Sequence, residues 1–226
     1  MGNVFIYSYR ITYFGGTAPC YDDDFLSLAI CKRDMRRVVG RRFLNNKNGD
    51  HFWIVGIVGK KLSYDENFTN KAADILYIAK IDDVKNYSEY FGNTEEKRSD
   101  KIYIPCNNGN REHNGECFAH NGSDIHSETY LQERDWDEAH KKKNEKYVLI
   151  SKNYCFLDKK DSEKIKSIFK GNLAKGVGHK AIECSRDIEA VFKEILKQKQ
   201  HGILNLPESL RNSKTQKRGC GKDKGI

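Results

Sequence analysis

The sequence predicts an α+β fold in which a curved or barrel-like mixed sheet is flanked by two C-terminal helices. Three observations lead there. Short runs rich in aromatic and β-branched residues follow one another without helices alternating between them. Helical periodicity is clear only after about residue 160. Two glycines, Gly56 and Gly59, interrupt an apolar run, as a bulge or a sharp bend in a closing sheet requires.

The elements follow in order. Residues 4–14, VFIYSYRITYF, form a strand that Gly15 and Gly16 end, and FLSLAI at 25–30 is a second strand or a short buried segment. FWIVGIVG at 52–59 and ILYIAKI at 75–81 are the clearest strands, and YVLIS at 147–151 with NYCFL at 153–157 adds a later pair. SEKIKSIF at 162–169 is a short helix stopped by Gly171. Residues 186–200 place Ile188, Val191, Phe192, Ile195 and Leu196 at i, i+3, i+4, i+7 and i+8, with Ser185 as N-cap and Gly202 as stop. Between 93 and 144 the chain turns polar, with NNGN, HNGE and HNGSD turn clusters, and reads as an insertion in a single domain spanning residues 1–210. Residues 211–226 read as a disordered basic tail.

Composition narrows the function. The chain of 226 residues is long enough for a packed core without disulfides, so its seven cysteines are expected to be mostly reduced thiols. No stretch has the design of a secretory signal, and no apolar run approaches the roughly 20 residues of a membrane helix. The expectation is a cytoplasmic protein with no membrane partner. The net charge of +8 is uneven. The tail holds six Lys/Arg against Asp223, and residues 31–61 hold nine against Asp34 and Asp50. The second concentration is the better clue, because clustered cations can meet phosphates whereas dispersed ones only solvate.

Four constellations carry candidate chemistry. In LSLAICKRDMRR the apolar half reads as core and KRDMRR as a rim, where Arg36 and Arg37 could fork onto a phosphate; a solvated turn or helix start is the plainer alternative. Cys31 reads as a buried core thiol or, beside four cations, as an activated nucleophile. KGVGHK at 175–180 reads as a glycine-rich loop whose Gly178 backbone, His179 and Lys180 would hold an anion, or as a simple connector. Tyr7, Tyr9, Trp53, Tyr77 and Tyr103 lie in or near strands, as base-stacking platforms or as core. Cys106, His113, Cys117 and His120 have zinc-ligand chemistry without finger spacing, so a polar loop and no metal are expected. No cofactor signature and no familiar catalytic motif appears.

The ordered set FIYSYRI, TAP, LAICKRDMRR, WIVGIVGKKL, ILYIAKI, DKIYIP, YVLIS and GVGHK resembles the nucleotide modification associated domain 2 family, over about residues 4–206. The stretches APCYDDD and GDHFWIVG depart from its pattern. The resemblance implies a DNA-modification or phage-defence setting, with nucleotide or modified-base DNA as ligand and DNA-modification or restriction proteins as further partners. It points to Cys31, Arg36, Arg37, Gly56, Asp100, Tyr103, Gly178, His179 and Lys180. The strand order is also similar to the small PUA, ASCH and EVE barrels, a likeness at the level of fold alone. Two functions follow as expectations. One is a reader of modified bases using Arg36, Arg37, Trp53, Gly56, Tyr103, Gly178, His179 and Lys180. The other is a base- or nucleotide-modifying enzyme with Cys31 as nucleophile, His179 as base and Asp100 orienting it.

Overall fold

A computed structural model of the chain describes residues 2–12, 19–21, 24–29, 32–64, 71–92, 98, 100, 103–105, 118–120, 147–176 and 178–199. The larger of its sheets runs, edge to edge, through Asn153–Phe156 (β10), Ile75–Lys80 (β5), His51–Val58 (β4), Val4–Ile11 (β1) and His179–Cys184 (β11). A smaller sheet is ordered Cys20–Tyr21 (β2), Leu26–Leu28 (β3), Tyr147–Ser151 (β9) and Asp83–Asn86 (β6), and Tyr103–Pro105 (β7) pairs with Phe118–His120 (β8). Among the described residues every pairing is antiparallel except β1 with β4.

The mixed α+β character agrees with the sequence, but the sheet does not close into a barrel. Its edges, β10 and β11, stay apart, and curvature comes from a corner where two strands change sheets. The β5 to β6 and β9 to β10 connections cross from one sheet to the other there, as in orthogonal packings. Asp82 pins the corner: its carboxylate accepts from the backbone amides of Lys152 and Asn153 at 2.8 and 3.1 Å and from the Asn153 side chain. The register shift between Gly56 and Ile57 in the β4–β5 pairing is the irregularity that the glycines announce.

Apart from its edge strand β11, the larger sheet is buried on both faces, which is why those strands read as continuous apolar runs. Tyr7, Tyr9, Ile11, Phe52, Ile54 and Val58 face the smaller sheet, whereas Val4, Ile6, Trp53, Val55 and Ile57 face the helices Lys159–Phe169 (α3) and Arg186–Gln198 (α4). Asp158 caps α3 by accepting from the Asp161 amide at 2.9 Å. Ser185 is the N-cap of α4 without a side-chain bond, and Gly202 lies outside the described residues. On the far side of the smaller sheet, Tyr87–Phe91 (α2) packs Tyr87, Tyr90 and Phe91 on Ala29, Val148 and Ile150.

Two elements correct the reading of the sequence. KRDMRR is not a rim turn: Arg33–Leu44 (α1) is a three-turn helix that sets Met35, Arg36, Val39 and Gly40 against the core. KGVGHK is not wholly loop, since His179 and Lys180 begin β11 and pair with β1. Most of the 93–144 insertion, the loop with Cys106, His113 and Cys117, and the 211–226 tail lie outside the described residues. Among the described residues no helix is long and apolar enough to cross a membrane.

Candidate functional site

The site grows from one transverse row of the larger sheet. Tyr9 lies opposite His179 on β11 and opposite Gly56 on β4; Gly56 lies opposite Tyr77, and Tyr77 opposite Phe156. Residues opposite one another share a face, so the row is His179, Tyr9, Gly56, Tyr77, Phe156. The missing side chain at Gly56 is what lets Tyr77 lean across. The two hydroxyls of Tyr9 and Tyr77 meet at 2.7 Å, and burial pushes the Tyr77 phenol far up from its ordinary value. A Cβ on Gly56 would stand 2.2 Å from Tyr77 Cε1 and 2.9 Å from Ile11 Cδ1. Gly56→Ala is therefore expected to cost about 1–3 kcal/mol through overpacking. A urea midpoint equal to that of the parent would show that the ring moves freely, and the row would lose its reason.

The N-terminus of α1 stands over the open end of this row. Lys32, its N-cap, has φ 48° and ψ 39°, a left-handed conformation that lysine adopts only at a cost, and its own side chain makes no capping hydrogen bond. Lys32 Nζ lies 5.5 Å from the Tyr9 ring centroid. His179 is half-buried, its ring 6.4 Å from that of Tyr7. Burial holds the imidazole below its ordinary value; the nearby Asp34 raises it and Lys32 lowers it again. His179 is thus neutral at pH 7, with one nitrogen donating and one accepting. Beside it, the Tyr7 hydroxyl accepts from Arg42 Nη1 at 3.2 Å.

The predicted residues do not all gather here. Arg36 is 1% exposed, with Nη1 donating to the Tyr147 carbonyl and its guanidinium 5.8 Å from the Tyr87 ring centroid, so it supports α1 from inside and is no rim arginine. Arg37 is partly exposed and pairs with Asp34 at 3.3 Å. Lys180 follows His179 in a strand, and successive strand residues point to opposite faces. It therefore leaves His179 and bonds Asn172 Oδ1 on the helix side. The expected cleft shared by Arg36, Arg37, His179 and Lys180 is not formed.

Trp53 is wholly buried on the helix face, Nε1 donating to Glu189 at 3.3 Å, and Tyr7, Tyr9 and Tyr77 are core residues too, so none of these rings is a stacking platform. Gly178 is exposed beside His179. Tyr103 lies in β7 with its side chain outside the described residues, as does Cys31 altogether. Asp100 sits behind the smaller sheet: Ser27 and Tyr90 donate to its Oδ2 at 2.5 and 2.8 Å, and Arg98 Nε is 3.6 Å from Oδ1. Ser27 alternates with Leu26 and Leu28, which face the larger sheet, so Asp100 and His179 are on different sides of a sheet. Asp100 is not placed to orient His179.

Sequence reasoning missed the role of Lys32 as a strained cap and the polar cluster around the 2%-exposed Glu189, which His51 Nδ1, Trp53 Nε1, Lys193 and Arg186 surround. Cys20 and Cys155 are buried thiols in no disulfide, and burial pushes Cys155 up to about 12, far from a reactive range. Among the described residues no three His, Cys, Asp or Glu side chains are grouped to hold a metal ion.

Residues 3–214 match the model of a protein family described as nucleotide modification associated domain 2. No curated protein and no solved structure matches the chain.

Proposed function

The chain belongs to the nucleotide modification associated domain 2 family, and from that premise we propose that it is a nucleotide or nucleic-acid binding module, a reader of modified bases working beside DNA-modification or restriction proteins in phage defence. The observation that carries this reading is the meeting of Lys32, the first turn of α1 and the neutral His179 at one end of the Tyr9 row. Backbone N–H groups of a first helical turn lack internal partners and carry partial positive charge, so a phosphate is a natural occupant. His179 can then donate to or accept from a base edge. The Cys31, His179 and Asp100 arrangement of an enzyme is not supported by the position of Asp100.

The test is a thermal-shift screen of plain and modified nucleotides and short DNAs, because a ligand of the folded state raises its apparent stability, by about 2.7 kcal/mol at a hundred times Kd. His179→Gln should weaken binding of any hit by up to about tenfold, a hydrogen bond between neutral groups being worth about 0.5–1.5 kcal/mol, while leaving the unliganded melting temperature nearly unchanged. A bound phosphate favours the imidazolium form, so binding should take up a proton and tighten as pH falls from 8 toward 6. A panel without a single shift, or a hit indifferent both to pH and to His179→Gln, would falsify the reading.

A further inference from the structure

We propose that β11 is an assembly edge: a second copy of this chain pairs its own β11 against it, antiparallel and about a two-fold axis at Ala181, so that the larger sheets of the two copies become continuous. This assembly does not depend on the binding reading above. Strand β11, HKAIEC, is six residues long and pairs with β1 without a register shift. Among the described residues β1 is its one strand neighbour, so alternate backbone N–H and C=O groups of β11 point outward along the sheet. Neither flanking layer covers the strand. Lys180 on the helix face, and Ala181 and Glu183 on the opposite face, are all exposed. Helix α1 rides over β1 instead, with Lys32 at the Tyr9 ring and Arg42 at the Phe5 ring, and α4 reaches β4 to meet Trp53.

Proteins guard an open edge with a proline, a bulge, a cover or a charge. Among the described residues β11 carries only the last, at Lys180 and Glu183, with His179 at its start. Those charges select a partner. In a sheet that continues across a two-fold axis the faces of both copies stay aligned, so residues opposite one another share a face and the axis passes through a residue, not between two. Centred on Lys180 the pairing sets two ammonium groups against each other, and centred on Glu183 two carboxylates, which is unfavourable for residues directly opposite. Centred on Ile182 it sets Lys180 against Cys184 and Ala181 against Glu183, with no complementary pair. Centred on Ala181 it sets His179 against Glu183 twice, Lys180 beside Ile182 twice, and the small Ala181 against itself at the axis. Opposite Cβ atoms then stand about 5 Å apart, within reach for an imidazole N–H to donate to the carboxylate. Each copy thereby brings its Glu183 beside His179 of the other, so the open end of the Tyr9 row is completed across the interface. A foreign strand would have to carry this same order of charges; a second copy has it by symmetry, and a two-fold contact closes after two chains.

Sedimentation velocity on the full chain, over a micromolar to submillimolar concentration series, tests this. The paired stretch is short and the interface small, so the expected result is a reversible monomer–dimer equilibrium with a micromolar dissociation constant. Ala181→Glu opposes two carboxylates at the axis and should weaken dimerisation at least about tenfold. Its circular dichroism and melting temperature should stay close to the parent's, because Ala181 is exposed. Ala181→Cys gives a second reading that survives any loss of folding in the first variant. Opposite Cα atoms lie about 4.5–5.5 Å apart, within disulfide range, so mild oxidation should give a reducible dimer in higher yield than the parent chain gives. Glu183→Cys is the register control: the two introduced thiols would lie about 14 Å apart along the strands and should not cross-link beyond the parent's level. A parent that stays monomeric across the whole series, a dimer that Ala181→Glu leaves as tight as before, or cross-linking through Glu183→Cys in preference to Ala181→Cys would each overturn the proposal. None of these measurements uses a nucleotide, so their failure leaves the binding reading standing, and an empty ligand screen leaves the dimer standing.

Discussion

Asp100→Ala is expected to lower stability by about 3–5 kcal/mol, the range for removing one partner of a buried ionic cluster. The carboxylate is fully buried, and Ser27 Oγ and Tyr90 Oη both end on its Oδ2. With alanine there, the buried Ser27 hydroxyl loses its acceptor at about 1–3 kcal/mol, and Tyr90 Oη is left with Ser27 Oγ, 3.1 Å away. Arg98, 3% exposed, loses the carboxylate 3.6 Å away as well, and keeps, among the described residues, the Cys20 and Phe25 carbonyls, Ser27 Oγ and the Phe25 ring. Asp100→Asn should cost less, because an amide keeps one acceptor in place. Its pH dependence has a definite sign. Burial raises the Asp100 pKa above its ordinary 3.8 in spite of Arg98, Ser27 and Tyr90. A raised value stabilises the fold at acid pH and loses that contribution as pH rises through it. The advantage of the parent over Asp100→Asn should therefore be greatest in acid and shrink toward neutrality. Urea unfolding at several pH values reads both effects. An alanine variant within about 1 kcal/mol of the parent would mean that the cluster is not the anchor of α2 on the smaller sheet.

That cluster also marks where the sequence stops being legible. Strands β4, β5 and β9 could be read because each is buried on both faces and so leaves an unbroken apolar run. Helix α4 could be read because Ile188, Phe192, Ile195 and Leu196 repeat at helical spacing. In α1 an arginine occupies the inward stripe, its aliphatic stem doing the work of an apolar side chain, so a strict count of apolar residues finds no helix. In β11 a partly exposed edge strand follows directly on GVG, and turn chemistry hides the strand.

The site suffers from the same limits. His179 and Lys180 look like one basic pair until the strand assigns them to opposite faces. The pairing of Ser27 with Asp100 spans 73 residues, and no local spacing announces it. What the sequence did expose was the concentration of charge near Lys32 and the glycine at 56, because both are local properties that tertiary packing refines but does not create.

Glu189→Ala is the second large change, with an expected cost of about 3 kcal/mol, since hydrogen bonds to a charged group are worth about 1.5–3 kcal/mol each. Glu189 stands in the first turn of α4, where a carboxylate is favoured by the helix dipole. From there it ties three parts of the chain together. His51 Nδ1 and Trp53 Nε1 of β4 meet its Oε1, Lys193 Nζ reaches Oε2 at 3.1 Å, and Arg186 spans the 3.7 Å to Oε2 while also donating to the Gly2 carbonyl. Truncation leaves the buried indole N–H of Trp53 with no acceptor. The cations are less affected, because Lys193 and Arg186 are close to half exposed and water can replace the carboxylate around them. Burial by itself would raise the Glu189 pKa, but the His51, Lys193 and Trp53 donors outweigh it and hold the group below its ordinary 4.5. A depressed carboxylate stabilises the fold at neutral pH and loses that contribution as pH falls through the folded value, because the unfolded chain takes up the proton first. Glu189→Gln keeps an acceptor for Trp53 and removes the titration. It should lie below the parent at pH 7 and approach it below about pH 4.5. A double-mutant cycle with His51→Ala, unfolded in urea at neutral pH, should return a coupling of at least about 1 kcal/mol. If the two replacements instead add independently, and the gap between parent and glutamine variant stays constant into acid, then Glu189 is held by helix packing alone and does not fasten α4 to the start of β4.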